Sequence, residues 1–187
     1  MISDNLFSLQ NKVIVVTGGT GVLGDSFVKS IVQAGGIPVV LGRNQEVAEA
    51  RALAIVNNGR EALAVVADVL DQDSLIHAKD VILKKYGRID GLVNNAGVND
   101  GVGLESGNYE RFIKSLHSNL IHYYLMAHHA LPYLKESKGS IVNVTSKNAE
   151  TCQGGTSAYA ASNGGRNALT REWAVDLLPF GIRVNSL

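Results

Sequence analysis

The chain has a single cysteine, Cys152, among 187 residues. One thiol excludes a disulfide framework and a cysteine-built metal site. Charge of one sign is also missing: 17 basic residues balance 17 acidic ones, so nothing in the composition points to nucleic acid or an anionic membrane. No apolar run approaches the roughly 18 residues that a membrane span requires. Residues 1–10 lack the basic region and long apolar stretch of a signal peptide, and a cytoplasmic setting is the expectation. No Gly-Lys-Ser/Thr follows the first glycine-rich turn, so there is no P-loop. No Gly-x-Ser-x-Gly elbow occurs, which argues against an α/β-hydrolase. The five histidines (His77, His117, His122, His128, His129) lack paired metal spacing and carboxylate neighbours. They read as helix-surface or core residues, and no metal site is expected.

What is present is a globular composition, 45% hydrophobic and 18% charged, in a length that suits one α/β domain spanning 1–187. Strand-like runs lie at Val13–Val16, Pro38–Leu41, Ala62–Ala67, Ile89–Val93, Ser140–Val144 and Ile182–Val184. Helical patterns fall between them, near 22–34, 45–57, 72–85, 108–135 and 158–178. Glycines stand at each hand-over from helix to strand (Gly35-Gly36, Gly59, Gly87, Gly139, Gly181), where a chain must turn left-handed. Strict alternation implies parallel pairing with right-handed crossovers.

The most informative segment is Lys12 to Gly24. A β-branched run breaks into Thr17-Gly18-Gly19-Thr20-Gly21-Val22-Leu23-Gly24 and then into the helical spacing of Phe27, Val28, Ile31 and Val32. Strand, tight turn and helix N-terminus together favour a pyrophosphate, because glycine lets an anion approach the main chain and the helix presents free N–H groups. The bland alternative is a turn that is merely rich in glycine. In open parallel sheets the ligand lies at the carboxyl ends of the strands, at the switch in strand order. Leu41-Gly42-Arg43-Asn44, Ala67-Asp68-Val69 and Asn94-Asn95-Ala96-Gly97 are expected to converge there. A site for NAD usually carries an acidic residue after the second strand. Gly42 and Arg43 stand there instead, and a guanidinium suits a 2′-phosphate. Arg43 is also readable as a solvated surface residue. Asp68 has two readings: acceptor for an adenine amino group, or N-cap of the next helix.

Asn119 lies on an apolar helical stripe with Phe112, Leu116, Leu120, Tyr123 and Ala127. A buried amide there costs about 1–3 kcal/mol unless satisfied, so a polar partner is expected. Its other reading is a structural amide that bends the helix. Ser146 follows the fifth strand, and Tyr159 comes later, at a helix start.

With these residues in place, the chain resembles the short-chain dehydrogenases/reductases over essentially its whole length. The resemblance rests on Thr17 to Gly24, Asp68, Asn94 to Gly97, Asn119, Ser146, Tyr159 and Arg183-Val184-Asn185. It implies a Rossmann-type, doubly wound three-layer α/β/α fold and an NAD(H) or NADP(H) cofactor, with NADP(H) favoured by Arg43. The cofactor-binding set it implies runs through Gly18, Thr20, Gly21, Val22, Leu23, Gly24, Arg43, Asn44, Asp68, Val69, Asn95, Ala96, Gly97, Tyr159 and Asn163. It implies Tyr159 as acid/base, Ser146 as the group that polarises the substrate oxygen, and Asn119 as a holder of a proton-relay water. It also implies pairing of the 108–135 and 158–178 helices into a homodimer or homotetramer. There Ala160, Ala161, Gly164 and Gly165 would permit close approach, and Trp173 and Leu177 would extend an apolar stripe.

Three departures stand out. The family places a lysine four residues after its tyrosine, and here that position is Asn163. A phenol has a pKa near 10 unaided, and a nearby cation typically lowers an acid by about 1–3 units. The middle glycine of the common turn is Val22, with Gly21 one place early. The chain ends at Leu187, after the sixth strand, where family members usually continue into a seventh strand and a substrate lid. The expectation is therefore a truncated, poorly active chain of about six strands. Gly97 to Leu104, Gln153 to Ser157 and Thr170 to Ala174 resemble the branch that contains L-fucose dehydrogenases, which implies a small-molecule sugar or polyol as substrate. The alternative is a cofactor-binding but catalytically inactive member.

Overall fold

The structure, a computed structural model, describes residues 7–187. Six strands form one parallel sheet in the order β3-β2-β1-β4-β5-β6. They are β1 (Val13–Thr17), β2 (Ile37–Gly42), β3 (Leu63–Val66), β4 (Gly91–Asn94), β5 (Ser140–Asn143) and β6 (Arg183–Ser186). Helices α1 (Val22–Gln33), α2 (Gln45–Asn57) and α3 (Gln72–Tyr86) make the early crossovers. Then come α4 (Tyr109–Leu116), a π-helical segment (His117–Ile121), α5 (His122–Ser137), the short α6 (Asn148–Thr151) and α7 (Ser157–Asp176). This is the doubly wound α/β arrangement that the strand-helix alternation predicts.

The three layers follow from the strand period. Successive side chains point to opposite faces. Val13 and Val15 of β1 join the core that holds α3, α5 and α7, through Leu75, Leu134 and Trp173. Ile14 and Val16 face α1 and α2, through Val28, Ile31 and Ala48. All five residues of β1 are buried. A parallel strand covered by helices on both sides therefore reads as a continuous apolar run rather than an alternation. The chain runs outward from β1 to β3, returns, and resumes at β4 beside β1. The switch point thus lies between β1 and β4.

The opposite edge of the sheet is anchored by Asp90. Its carboxylate accepts from Val13 N–H (3.0 Å), Arg88 Nε (2.8 Å) and Lys12 Nζ (3.2 Å). Burial alone pushes this carboxyl up, but those three donors outweigh it and hold it below the usual carboxylate range.

The structure differs from the sequence expectations in four places and excludes one of the two readings of Asp68. The 108–135 helix is interrupted at 117–121 by wider π turns, centred on Asn119. Asn119 Nδ2 bonds back to Ser115 O (3.1 Å), the local competition that bends helices. At the end of α5 the left-handed residue is Lys138 (φ 49°), not Gly139. Gly139 is needed for space instead, since a Cβ there would lie 2.4 Å from Asp90 O. The N-cap of α3 is Asp71, whose side chain accepts from Asp73 N–H, while Asp68 Oδ1 accepts from Leu70 N–H within the preceding loop. Asp68 is therefore not the helix cap. The short helix α6 had no periodic apolar signal. Finally, Trp173 and Leu177 sit inside the core rather than on an outer stripe.

Candidate active site

The site begins at the end of β1. Thr17 Oγ1 accepts from the backbone N–H of Asn95 (2.9 Å) and of Ala96 (3.1 Å). Asn95 Nδ2 returns bonds to Thr17 O (2.9 Å) and Gly18 O (3.2 Å). These cross-bonds fix the loops after β1 and β4 against each other across the switch point. Gly18 has φ +63°, a region that costs an L side chain roughly 1–2 kcal/mol. A Cβ on Gly24 would lie 2.1 Å from Gly18 O, so the turn closes only with glycine there. Arg51 of α2 donates to the carbonyls of Gly19 and Gly21 and pairs with Asp25 at 3.4 Å. The first-turn N–H groups of α1 have no intrahelical partners, and no side chain caps them.

A cavity of about 540 Å³ opens over this turn. Its wall takes in Gly18 and Thr20 to Gly24, Gly42 and Arg43 after β2, Ala67 to Leu70 after β3, and Asn95 to Val98 after β4. Lys114 and Ser118 close the far side. Its size is that of a cofactor site, and its place is the carboxyl edge of the sheet.

Beside the cavity lies a second, polar cluster. Asn119 is fully buried, as is Asn163, one turn after Tyr159 on α7. Between them sits the buried guanidinium of Arg166. Its Nε donates to Asn119 O, its Nη2 to Asn119 Oδ1 (3.4 Å), and its Nη1 to Asn163 Oδ1 (3.0 Å) and Val144 O (3.1 Å). Asn119 Oδ1 also accepts from Val98 N–H at 2.7 Å, which links this cluster to the cavity wall. Asn163 Nδ2 donates to Tyr159 O (2.8 Å). Tyr159 is half-buried, as is Ser146, whose Oγ accepts from Asn148 N–H at 3.2 Å.

The sequence matches the profile of the short chain dehydrogenases over residues 12–187. The chain belongs to the short chain dehydrogenase family. It is 29% identical to L-fucose dehydrogenase of Bos taurus over 177 residues, which is 94% of this chain and 64% of that protein. It is 30% identical to gluconate 5-dehydrogenase of Gluconobacter oxydans (strain 621H), covering 100% of this chain and 73% of that protein. The crystal structure of an NAD+-bound xylitol dehydrogenase superposes with a TM-score of 0.89 at 28% identity, covering 95% of this chain and 69% of the other. The chain thus spans roughly two thirds of the length of those relatives, between 64% and 73%.

The expected residues fall into two groups. Gly18, Thr20 to Gly24, Arg43, Asp68, Val69 and Asn95 to Gly97 line the cavity together. Asn44, Asn119, Ser146, Tyr159 and Asn163 lie outside its wall. Asn44 caps α2 instead, its Oδ1 accepting from Val47 N–H at 3.0 Å. Asn119 has its expected polar partners, in Val98, Ser115 and Arg166. Sequence reasoning missed Arg51, Lys114, Ser118 and Arg166. For Arg166 a signal existed: 159, 163 and 166 follow the i, i+4, i+7 spacing of one helix face.

Burial and the nearby Arg166 together fix the charge state of His122. Burial, then the Arg166 charge, pushes the His122 imidazole down to about 4, so it is neutral near pH 7. Its Nε2 lies 3.1 Å from Ser118 O. In the unfolded chain the same imidazole takes up its proton near 6.5. The unfolded state therefore binds more protons between those values. Stability is intact above pH 6.5 and falls as pH drops toward 4. We expect a loss of about 2–3 kcal/mol between pH 7.5 and pH 4.5, read as urea midpoints. His122→Gln should flatten that slope, and an unchanged slope would contradict the assignment.

Proposed function

We propose that this chain binds a nicotinamide dinucleotide, NADP(H) in preference to NAD(H). We further propose that it interconverts an alcohol and a carbonyl on a sugar or polyol. The observation that carries this reading is the glycine cradle at the switch point, where Gly18 and Gly24 leave room for nothing beyond a backbone. That cradle fits a pyrophosphate, and the cavity of about 540 Å³ fits the rest of a dinucleotide. The sugar or polyol assignment is supported by likeness to proteins described as L-fucose dehydrogenase and gluconate 5-dehydrogenase.

When bound, the nicotinamide accepts or returns a hydride at the substrate carbon. The chain's own groups handle the oxygen. In oxidation, Tyr159 Oη takes the hydroxyl proton; in reduction it returns one. Ser146 Oγ orients and polarises the substrate oxygen. Asp68 is available to the adenine end. A homodimer or homotetramer through α4, α5 and α7 belongs to the same reading. It is supported by the exposed Ala161 and by open space where a Cβ on Gly164 would project. The rival reading, cofactor binding without catalysis, is favoured by one observation: Asn163 is neutral and its amide is already engaged by Tyr159 O and Arg166.

Arg43 is exposed and lines the cavity. At Gly42 a Cβ would lie 2.5 Å from Thr20 Oγ1, so an acidic side chain has no room there while Thr20 stays in place. A charge-assisted bond to a 2′-phosphate is worth about 1.5–3 kcal/mol, or tenfold and more in affinity. NADPH is therefore expected to bind at least tenfold tighter than NADH in a fluorescence titration, and Arg43→Ala to erase the difference. Equal affinities in the unmodified chain would contradict the preference.

A further inference from the structure

The glycine turn is gripped by its carbonyl oxygens. Asn95 Nδ2 donates to those of Thr17 and Gly18. Arg51, on α2, donates from a single nitrogen, Nη1, to those of Gly19 and Gly21, the second at 3.1 Å. Gly21 is the N-cap of α1, and its carbonyl also accepts the first bond of that helix, from Asp25 N–H at 3.0 Å. Gly19 N–H is held in turn by Leu41 O at the end of β2 (2.9 Å), and Thr20 packs against Gly42. The outer half of the turn is therefore fixed by β2 and α2. Among the described residues, Arg51 is the one side chain that bonds the carbonyls of Gly19 and Gly21. Its other polar contact is Asp25, 3.4 Å from Nε, in the first turn of α1. A carboxylate there competes with an anionic ligand for the helix N–H groups. Lys29 pairs with the same carboxylate at 2.6 Å, so two cations face one acid beside the turn. Arg51 itself lies outside the cavity wall.

We propose that Arg51 is a positioning residue for the dinucleotide pyrophosphate, aiming the N–H groups of the turn at the anion without touching it. The link is the rigidity of the peptide unit. In a trans peptide the C=O of one residue and the N–H of the next point in opposite directions within one plane. Holding Gly19 O therefore sets the direction of Thr20 N–H, and holding Gly21 O sets that of Val22 N–H. Thr20 and Val22 both line the cavity, and neither N–H is engaged elsewhere among the described residues. The need for a brace follows from the sequence of the turn. Glycine restrains its peptide planes least, so a segment with glycine at 18, 19 and 21 would lose much freedom on meeting a ligand. A guanidinium that fixes two of those planes beforehand lowers that cost. It also covers two carbonyl dipoles whose negative ends would oppose a phosphate. Affinity for NADPH and for NADH then depends equally on Arg51, because the pyrophosphate is common to both.

This inference rests on the proposed dinucleotide site, and its test reads binding rather than turnover. NADPH and NADH are titrated calorimetrically into the full chain, and adenosine, which has no pyrophosphate, is followed by ligand-observed NMR. Arg51→Met removes the donors and keeps the length. It should weaken NADPH and NADH by the same factor, about tenfold or more, and leave adenosine within about twofold. The ratio of the two coenzyme affinities should stay as it is in the unmodified chain. The double variant D25N/R51M removes the acid as well and should remain as weak as Arg51→Met. Full recovery in that variant would overturn the proposal, since the loss would then come from the bared Asp25 charge. Arg51→Lys keeps the charge, reaches one carbonyl rather than two, and should fall between the two chains; it serves as the test if Arg51→Met does not fold. Coenzyme binding unchanged in a folded variant would overturn the proposal while the dinucleotide reading stands. So would a loss confined to NADPH, which would make Arg51 a partner of the 2′-phosphate, or a loss shared by adenosine, which would make it a general support of the fold. No binding of either coenzyme by the unmodified chain would sink the dinucleotide reading and the role of Arg51 with it.

Discussion

Gly24→Ala is expected to abolish dinucleotide binding while the chain stays folded. The added Cβ would lie 2.1 Å from Gly18 O and 2.8 Å from Gly19 Cα, both backbone atoms that cannot swing aside like a side chain. The turn must open, and the first N–H groups of α1 then lose their common focus. Each charge-assisted bond to a phosphate contributes about 1.5–3 kcal/mol, so losing two weakens binding by a hundredfold or more. Alanine is the better helix former, so α1 itself should persist. Isothermal titration with NADPH reads the loss, and circular dichroism checks the fold. Binding within threefold of the unmodified chain would show that the pyrophosphate does not sit on this turn.

Tyr159→Phe is expected to lower kcat/KM by about 10²–10⁴-fold, the usual contribution of a positioned acid or base. The phenyl ring keeps the packing at the start of α7 and removes only the hydroxyl. The measurement is the absorbance of reduced cofactor during oxidation of a panel of sugars and polyols. A loss under tenfold would assign the proton transfer to another group.

Much of the fold is written in the sequence because a parallel sheet buried on both faces needs unbroken β-branched runs, and Val13 to Val16 is one. Four of the five glycine hand-overs carry a left-handed residue for the reason given: Gly35, Gly59, Gly87 and Gly181. At the fifth, Lys138 takes the left-handed turn, because Gly139 is held against the Asp90 carbonyl. The cavity wall was legible because its residues sit at strand ends, where topology alone gathers them. The polar cluster was harder to read. Arg166 looks like any arginine on an amphipathic helix until the π turn presents the Asn119 carbonyl to it, and no local pattern announces a π turn. Trp173 and Leu177 were misplaced for a related reason. An apolar stripe states that a helix face is covered, not whether the cover is the sheet or a second subunit.

The most direct test is amide NMR on the ¹⁵N-labelled chain during titration with NADPH. The expected result is saturable shifts, largest at Thr20 to Gly24, Arg43, Asp68 to Val69 and Asn95 to Gly97, the segments that line the cavity at the carboxyl edge of the sheet. No saturable shift, or shifts confined to residues away from that edge, would contradict the proposal that this chain binds a nicotinamide dinucleotide.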